Sequence, residues 1–521
     1  MSWPVALMKF LSAVAVRPES MENTTRRITA PPGKTSRAGE PSREFVDQTS
    51  EGRTHHAAHV EGALTGVSLF TGGGIGDLAL RACGVNVLVG SELLEDRAQV
   101  YRANFPETEM VVGDIRETKQ ALLCAARERL NGRTLDVLFA TPPCQGMSKN
   151  GRGKLLNGIR AGMKPALDER NSLALEAVSI ALELRPKLIV FENVPEMEFT
   201  LVERPDGSLG DLLETVSQAL SPEYSGRWEV VEFADYGVPQ RRQRLITVFS
   251  RVDTISRLAR TGKSVLPERT HSASRTMFTK SWVSVDEALA GVPELDAGSA
   301  AKAVHGSLDF HRVPLLDEDK YFWVLNTPPG RGAFDNQCVN EACGHQGNPT
   351  HGAQHDDSGI NRSNKDTPVR CIRCGELLPR PWVIEDGVHR LMSGFTSAYK
   401  RMRGDLPASA LTRNLSYACS DQKLHPREHR VLSLYEAFIL HTVSSYRFIW
   451  SRADHKRLSD KTVREIIGES IPPKGLEVIF RHVLGLLPVN AEDDSGCEQG
   501  RQLGVGLHSE RQRTSRTVLS R

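Results

Sequence analysis

No apolar run in this 521-residue chain approaches the roughly 20 residues that a membrane-spanning helix needs, so a helical span is not expected. Charge of one sign is also lacking. The 66 Lys and Arg against 64 Asp and Glu leave a formal net charge of only +2. Any face that binds a polyanion must therefore be a local basic patch, balanced by acidic surface elsewhere. No internal repeat is evident, which argues against a repeat array. Aromatic residues are scarce over residues 1–60, a stretch rich in Arg, Ser, Pro and Thr that reads as a largely disordered tail. Its first part, Met1 to Val16, has the apolarity of a signal peptide, but Lys9 interrupts the run and no small-residue cleavage site follows. A loose tail or an upstream start is the preferred reading. Residues 489–521, with Arg501, Arg511, Arg513, Arg516 and Arg521, read as a second tail. Between the tails there is enough apolar sequence, 39% over the chain, to bury a full core in about two or three domains.

The most informative stretch is Thr141-Pro142-Pro143-Cys144-Gln145, which follows the apolar run Leu135 to Ala140, a buried parallel strand by its composition. Ligands of open α/β sheets sit beyond the carboxyl ends of their strands, and two prolines stiffen the loop that presents the thiol. Upstream, the strand Val67 to Phe70 leads into Thr71-Gly72-Gly73-Gly74-Ile75-Gly76-Asp77 and a helix over Leu78 to Ala82. Glycines there let a cofactor approach the backbone. The next strand, Val85 to Val89, is followed by Glu92, placed to accept hydrogen bonds from a ribose. Asp114 follows the strand Met110 to Val112 and is placed to bond an adenine amine, so the three sites together favour a nucleoside.

Further on, Lys187 to Phe191 delivers Glu192-Asn193-Val194 at a strand end, where partial desolvation raises a carboxyl's pKa and lets it donate a proton. Gln240-Arg241-Arg242-Gln243-Arg244 then enters the strand Leu245 to Phe249; on extended chain Arg242 and Arg244 share a face, and paired guanidiniums suit a carbonyl oxygen or a phosphate.

Taken in order, these motifs resemble the DNA (cytosine-5)-methyltransferases of the bacterial type. The likeness rests on Phe70 to Gly74, Pro143-Cys144-Gln145, Glu192-Asn193-Val194 and Gln240 to Arg244, continues with Arg430 to Ala437 as a helix start and Gly468-Glu469-Ser470-Ile471-Pro472-Pro473, and covers about residues 63–485. Two positions depart from the family pattern. Ile75 takes the place of the last glycine of the first motif, and Glu469 stands where asparagine is usual.

The resemblance implies an α/β, Rossmann-like S-adenosylmethionine-dependent catalytic domain, with Cys144 as nucleophile and Glu192, Arg242 and Arg244 as its catalytic partners. It places the cofactor against Phe70, Gly72, Gly74, Glu92, Asp114, Ile115 and Pro143. It further implies double-stranded DNA as partner, with the target cytosine flipped out of the duplex. The glycines and cations of residues 146–154 look like a mobile loop that closes over DNA, so Gln145, Ser148, Lys149 and Arg152 are expected DNA contacts.

Domain bounds follow as a tail over 1–60, a catalytic part over 61–252, a target recognition domain over 253–425, a catalytic return over 426–488 and a tail over 489–521. The insertion carries Cys338, Cys343, Cys371 and Cys374, and two close pairs at such spacings suit a structural, tetrahedral zinc, with a disulfide pair or unbound thiols as alternatives. A catalytic thiol argues for a reducing compartment, which disfavours disulfides. Arg401, Arg403 and Arg413 lie in basic, polar stretches near its end and are expected to read guanine edges or touch phosphate.

The chain is expected to act as a monomer in the bacterial cytoplasm, at the nucleoid, beside a cognate restriction endonuclease or as an orphan methylase. Two rival readings remain at this level: a cytosine-5 methyltransferase for transfer RNA, and a catalytically silent DNA-binding regulator.

Overall fold

The computed structural model describes residues 63–143, 169–204, 207–351, 354–355, 361–362, 367–393 and 397–488. Both expected tails, and Cys144 with the basic stretch carrying Gln145, Ser148, Lys149 and Arg152, lie outside these residues.

Seven strands, β1 (Leu64–Leu69), β2 (Val85–Glu92), β3 (Glu109–Val112), β4 (Val137–Ala140), β5 (Leu188–Asn193), β6 (Ser225–Glu232) and β7 (Gln243–Ser250), form one sheet in the order β3-β2-β1-β4-β5-β7-β6. The first five run parallel, and β7 lies antiparallel between β5 and β6. The order reverses between β1 and β4. That switch point opens a crevice at the carboxyl ends of the strands, flanked by the glycine-rich turn and by Thr141 to Pro143.

Continuous apolar strands are explained by burial on both faces. Leu138, Ala140, Ile189 and Phe191 point into one core, against α3 (Ile115–Leu130), α4 (Leu173–Leu184) and α5 (Leu212–Leu220), while Val137, Phe139, Leu188 and Val190 point into the other. That second face is covered by α6 (Asp253–Arg260) and, from the far end of the chain, by a C-terminal helix that presents Leu476, Ile479, Phe480 and Val483 at helical spacing. Phe480 meets Phe139 edge-on at 5.2 Å between ring centres.

A separate core lies in the insertion, where Trp323 of α7 (Glu318–Leu325) packs against Trp382 and Tyr399. The chain returns through α8 (Leu434–Leu440), α9 (Asp460–Glu469) and α10 (Pro473–Gly485), the helix that covers the sheet.

Two boundaries differ from expectation, each for a local reason. Leu135 and Asp136 precede the β4 ladder, because the Asp136 carboxylate accepts from Thr65 N at 2.8 Å and pairs with Lys187 at 2.9 Å. The helix expected to start near Arg430 begins at Leu434, since Ser433 caps it and Glu436 bonds back to Ser433 N in a capping box. Among the described residues, no helix is long and apolar enough to cross a membrane.

Candidate active site

Because β7 runs antiparallel to β5, the start of one strand meets the end of the other. Glu192 lies opposite Ile246, which puts Arg244 diagonally across on the same face. Arg244 Nε reaches Glu192 Oε1 at 2.7 Å. The carboxyl is buried, and burial raises its proton affinity even though Arg244 and Arg242 pull the other way. A glutamic acid that keeps its proton more readily than usual can donate it.

The loop after β4 is held from both flanks. Thr141 N donates to Leu69 O at 3.2 Å and its hydroxyl to Phe70 O at 2.9 Å, while Asn193 Nδ2 donates to Pro142 O at 3.0 Å. The asparagine of the Glu-Asn-Val motif thus fixes the loop from which Cys144 follows two residues later. Pro143 is half-buried there.

Arg242 does not stand beside Arg244 as an equal. It is buried and donates to Leu411 O at 2.9 Å, Gly468 O at 3.0 Å and Ser470 O at 2.7 Å, joining β7 to the end of the insertion and to the Gly468 turn. Gly468 is required at this joint, because an added Cβ would lie 2.2 Å from Arg413 N. Gln240 completes it, accepting from Leu411 N and approaching His441 Nδ1 at 3.1 Å. Burial, reinforced by Arg242 and Arg244, drives the His441 pKa far down, so the ring stays neutral while Nε2 meets Ser470 Oγ at 2.9 Å. Neither His441 nor the joining role of Gln240 was anticipated, since both depend on segments some 200 residues apart in sequence.

On the other side of the switch point the backbone of the glycine-rich turn takes left-handed values, with φ of +60° at Phe70, +55° at Gly72 and +89° at Gly74. A Cβ on Gly74 would lie 2.7 Å from the Phe105 ring, whereas one on Gly72 would meet open space. Glu92 Oε2 accepts from Gly72 N at 2.9 Å and Oε1 from Leu94 N at 3.0 Å. The turn is therefore tied to the end of β2, and each oxygen keeps lone-pair capacity for a hydroxyl. Asp114 caps α3, accepting from Arg116 N at 2.9 Å, which places Ile115 in the core beside it.

Ile75 sits buried among Leu78, Tyr101 and Phe105, so the missing glycine is absorbed by a side chain directed inward. Beneath it, Asp77 accepts from Tyr101 Oη at 2.7 Å and Ser68 Oγ at 2.9 Å, and burial lifts its pKa to about 6. Glu469, the other departure, pairs with Arg97 at the start of α2 (Glu95–Asn104). A cavity of about 340 Å³ lies there, lined by Leu94, Arg97, Thr462 and Glu465 among others. Exposed Leu93 and Leu94 directly after Glu92 offer an apolar surface for a base, a signal visible in the sequence but not read. An open backbone, a carboxylate at hydroxyl reach and apolar cover together fit a nucleoside cofactor.

In the insertion, Cys338 Sγ lies 3.7 Å from Cys374 Sγ, Cys343 Sγ lies 3.9 Å from Cys371 Sγ, and all four sulfurs fall within 4.8 Å of one another. A disulfide needs about 2.05 Å, whereas a tetrahedron with Zn–S bonds of about 2.3 Å has edges of about 3.8 Å. The donor set and its spacing fit a closed four-thiolate site. Each pair is followed by a glycine at positive φ, Gly344 and Gly375.

Of the three insertion arginines expected to contact DNA, Arg403 and Arg413 are exposed. Arg401 is not, and the expectation of a DNA contact is corrected: its guanidinium is buried and donates to the carbonyls of Thr327, Val324, His425 and Glu428. It holds the insertion's core together.

The family profile for C-5 cytosine-specific DNA methylases matches residues 64–306. The type II methyltransferase M1.HgaI of Avibacterium volantium is 26% identical over 424 residues, spanning 81% of this chain and 98% of that protein. The type II methyltransferase M.AquIA of a Picosynechococcus species is 33% identical over 219 residues, 40% of this chain and 77% of that protein.

Proposed function

The chain belongs to the C-5 cytosine-specific DNA methylase family, and from that premise we propose that it is a DNA (cytosine-5-)-methyltransferase acting on a specific double-stranded sequence through a covalent Cys144 adduct. The observation that carries the reading is the buried Glu192–Arg244 pair at the end of β5, beside the Pro142 loop from which Cys144 follows.

Cys144 Sγ, as the thiolate, adds to carbon 6 of a cytosine extruded from the duplex, and the new C–S bond moves ring electrons toward N3 and carbon 5. Glu192 meets this charge with its proton at N3, while Arg244 fixes the carboxyl and faces the O2 side. S-adenosylmethionine supplies the methyl group. The carbon 5 proton passes to a base in solvent, the electrons of its C–H bond restore the C5–C6 double bond and expel Cys144 as the thiolate, and N3 returns its proton to Glu192. Glu92, Asp114 and the turn from Phe70 to Gly74 hold the cofactor, with Pro143 and Ile115 flanking it. Arg242 acts by positioning, because its bonds run to backbone carbonyls.

Residues 61–252 and 426–488 then form the catalytic domain and residues 253–425 the target recognition domain, where Cys338, Cys343, Cys371 and Cys374 hold one structural zinc. Four thiolates leave no open position for water, so the metal takes no part in the chemistry. The type II names of the relatives support a place in a restriction-modification system. The same proposal has the chain act as a cytoplasmic monomer.

Duplex DNA containing 5-fluorocytosine tests the reading, because fluorine cannot leave as a proton does. The parent should form a stable adduct and Cys144→Ser none. An adduct that persists in the variant rejects Cys144, and one formed on RNA instead of DNA favours the transfer RNA reading.

A further inference from the structure

One of the least accessible cations of the insertion lies among the segments that carry its cysteines. Arg380 is fully buried and donates to Asn336 O at 2.8 Å, Pro349 O at 2.9 Å and Pro368 O at 2.8 Å. All three acceptors are neutral, and among the described residues its buried Nη2 has no acceptor and no carboxylate forms an ion pair with it. A guanidinium in that position retains its charge and has lost its water. Among the described residues, the acidic groups whose charge would act on it are Asp335 and Cys371. Asp335 is already engaged, accepting from His351 N at 2.8 Å.

Two of the carbonyls that Arg380 gathers belong to the segments that carry the sulfurs, and the third to a segment bonded to one of them. Asn336 lies two residues before Cys338, and Pro368 three before Cys371. Pro349 follows Asn348, whose Oδ1 accepts from Ile372 N at 2.9 Å, next to Cys371. Leu378, whose carbonyl accepts from Arg380 N at 2.7 Å, packs against Cys338 and Cys371. A divalent ion held by four thiolates carries a net charge of −2, on its inner side against buried Cys338, Cys371 and Leu378. That charge requires a buried cation nearby, as the cation requires an anion.

We propose that Arg380 is the counter-cation of the four-cysteine metal centre and the positioning residue through which metal loading orders the two ligand-bearing segments and the Pro349 segment between them. This rests on the zinc reading above, and the test separates the two. Purified full-length parent, Arg380→Met and Arg380→Lys are compared for zinc content, for transfer of zinc to a competing chromophoric chelator, and, after exchange with Co²⁺, for the sulfur-to-cobalt charge-transfer band.

Arg380→Met is expected to release its metal at least tenfold more readily than the parent and to shift the band, because the thiolates lose their neighbouring charge. Arg380→Lys keeps the charge without the fork and is expected to stay within a few-fold of the parent with the band in place. A purely structural role would lower thermal stability without moving the band. If Arg380→Met retains metal like the parent with an unshifted band, the counter-cation role is overturned while zinc stands. If Arg380→Met fails to fold, Arg380→Lys decides, and a tenfold loss of retention there overturns the role of charge. A parent without bound zinc overturns both.

Discussion

Glu192 and Glu436 are both buried glutamates facing an arginine, yet their proton affinities move in opposite directions. Burial pushes both upward. At Glu436 it is outweighed, because Arg430 grips both oxygens at 2.7 Å, Ser433 N adds a bond at 2.8 Å, and His425 lies beside them. Glu192 receives Arg244 Nε on one oxygen, and burial prevails. A carboxylate whose bonding capacity is filled by the protein is scaffolding. One whose capacity is left partly open, at a strand end in a crevice, is available to a substrate. The same distinction separates Arg242 and Arg401, consumed by carbonyls, from Arg413, which remains exposed.

The comparison breaks most visibly at Glu436. Glu436→Gln removes the charge that balances fully buried Arg430 and should lower unfolding free energy by about 3–5 kcal/mol, read from denaturant midpoints, while folded protein keeps its turnover. Equal stability would mean that Glu428 alone balances Arg430. Next in size, Glu192→Gln should reduce turnover by about 100-fold or more, with DNA affinity and melting close to the parent's. A rate near the parent's would make Glu192 structural.

Acid should separate the two glutamates again. A carboxyl depressed in the folded state contributes stability above its unfolded pKa of about 4.3, and that contribution is lost as pH falls through the lower folded value. The stability gap between parent and Glu436→Gln should therefore be full at neutral pH and close on acidification below about pH 4. The raised Glu192 acts in reverse: turnover should decline as rising pH strips its proton, a limb that Glu192→Gln lacks.

Serine at Cys371 and Cys374 should remove zinc and weaken sequence-specific DNA binding while S-adenosylmethionine binding survives; a metal-free parent with intact specificity would show the cysteines to be incidental. The smallest effect is expected at Arg413→Ala, where loss of one phosphate contact reduces the slope of log affinity against log salt by about 1. An unchanged slope would remove Arg413 from the interface.

What the sequence made legible was local. Apolar runs ending in Glu192 or in Pro142-Pro143 announce strands and their carboxyl ends, a glycine cluster announces a turn, and each close pair of cysteines announces two neighbouring thiols, all within a few residues. What stayed hidden depends on partners remote in the chain. Nothing around Arg401 or Arg380 distinguishes them from surface cations, because their acceptors come from segments brought together only by folding. The partners of Arg242 were out of reach for the same reason: strand periodicity gives its face, whereas the carbonyls at Leu411, Gly468 and Ser470 that it meets are contributed by the fold.

The covering of the sheet by α10 sets a condition on biosynthesis. The strands are complete by Ser250, but Phe139, Val190 and Val248 gain the cover of Leu476, Ile479 and Phe480 only after residue 485 has emerged. At ribosomal speeds of about 5–20 residues per second, that leaves part of an apolar sheet face uncovered for roughly 10–50 s. Over the same interval the carbonyls of Gly468 and Ser470 that receive Arg242 do not yet exist. The nascent chain therefore passes through a period in which it is sticky and has no assembled active site, and its yield in the cell depends on whatever shields that face until the last helix arrives.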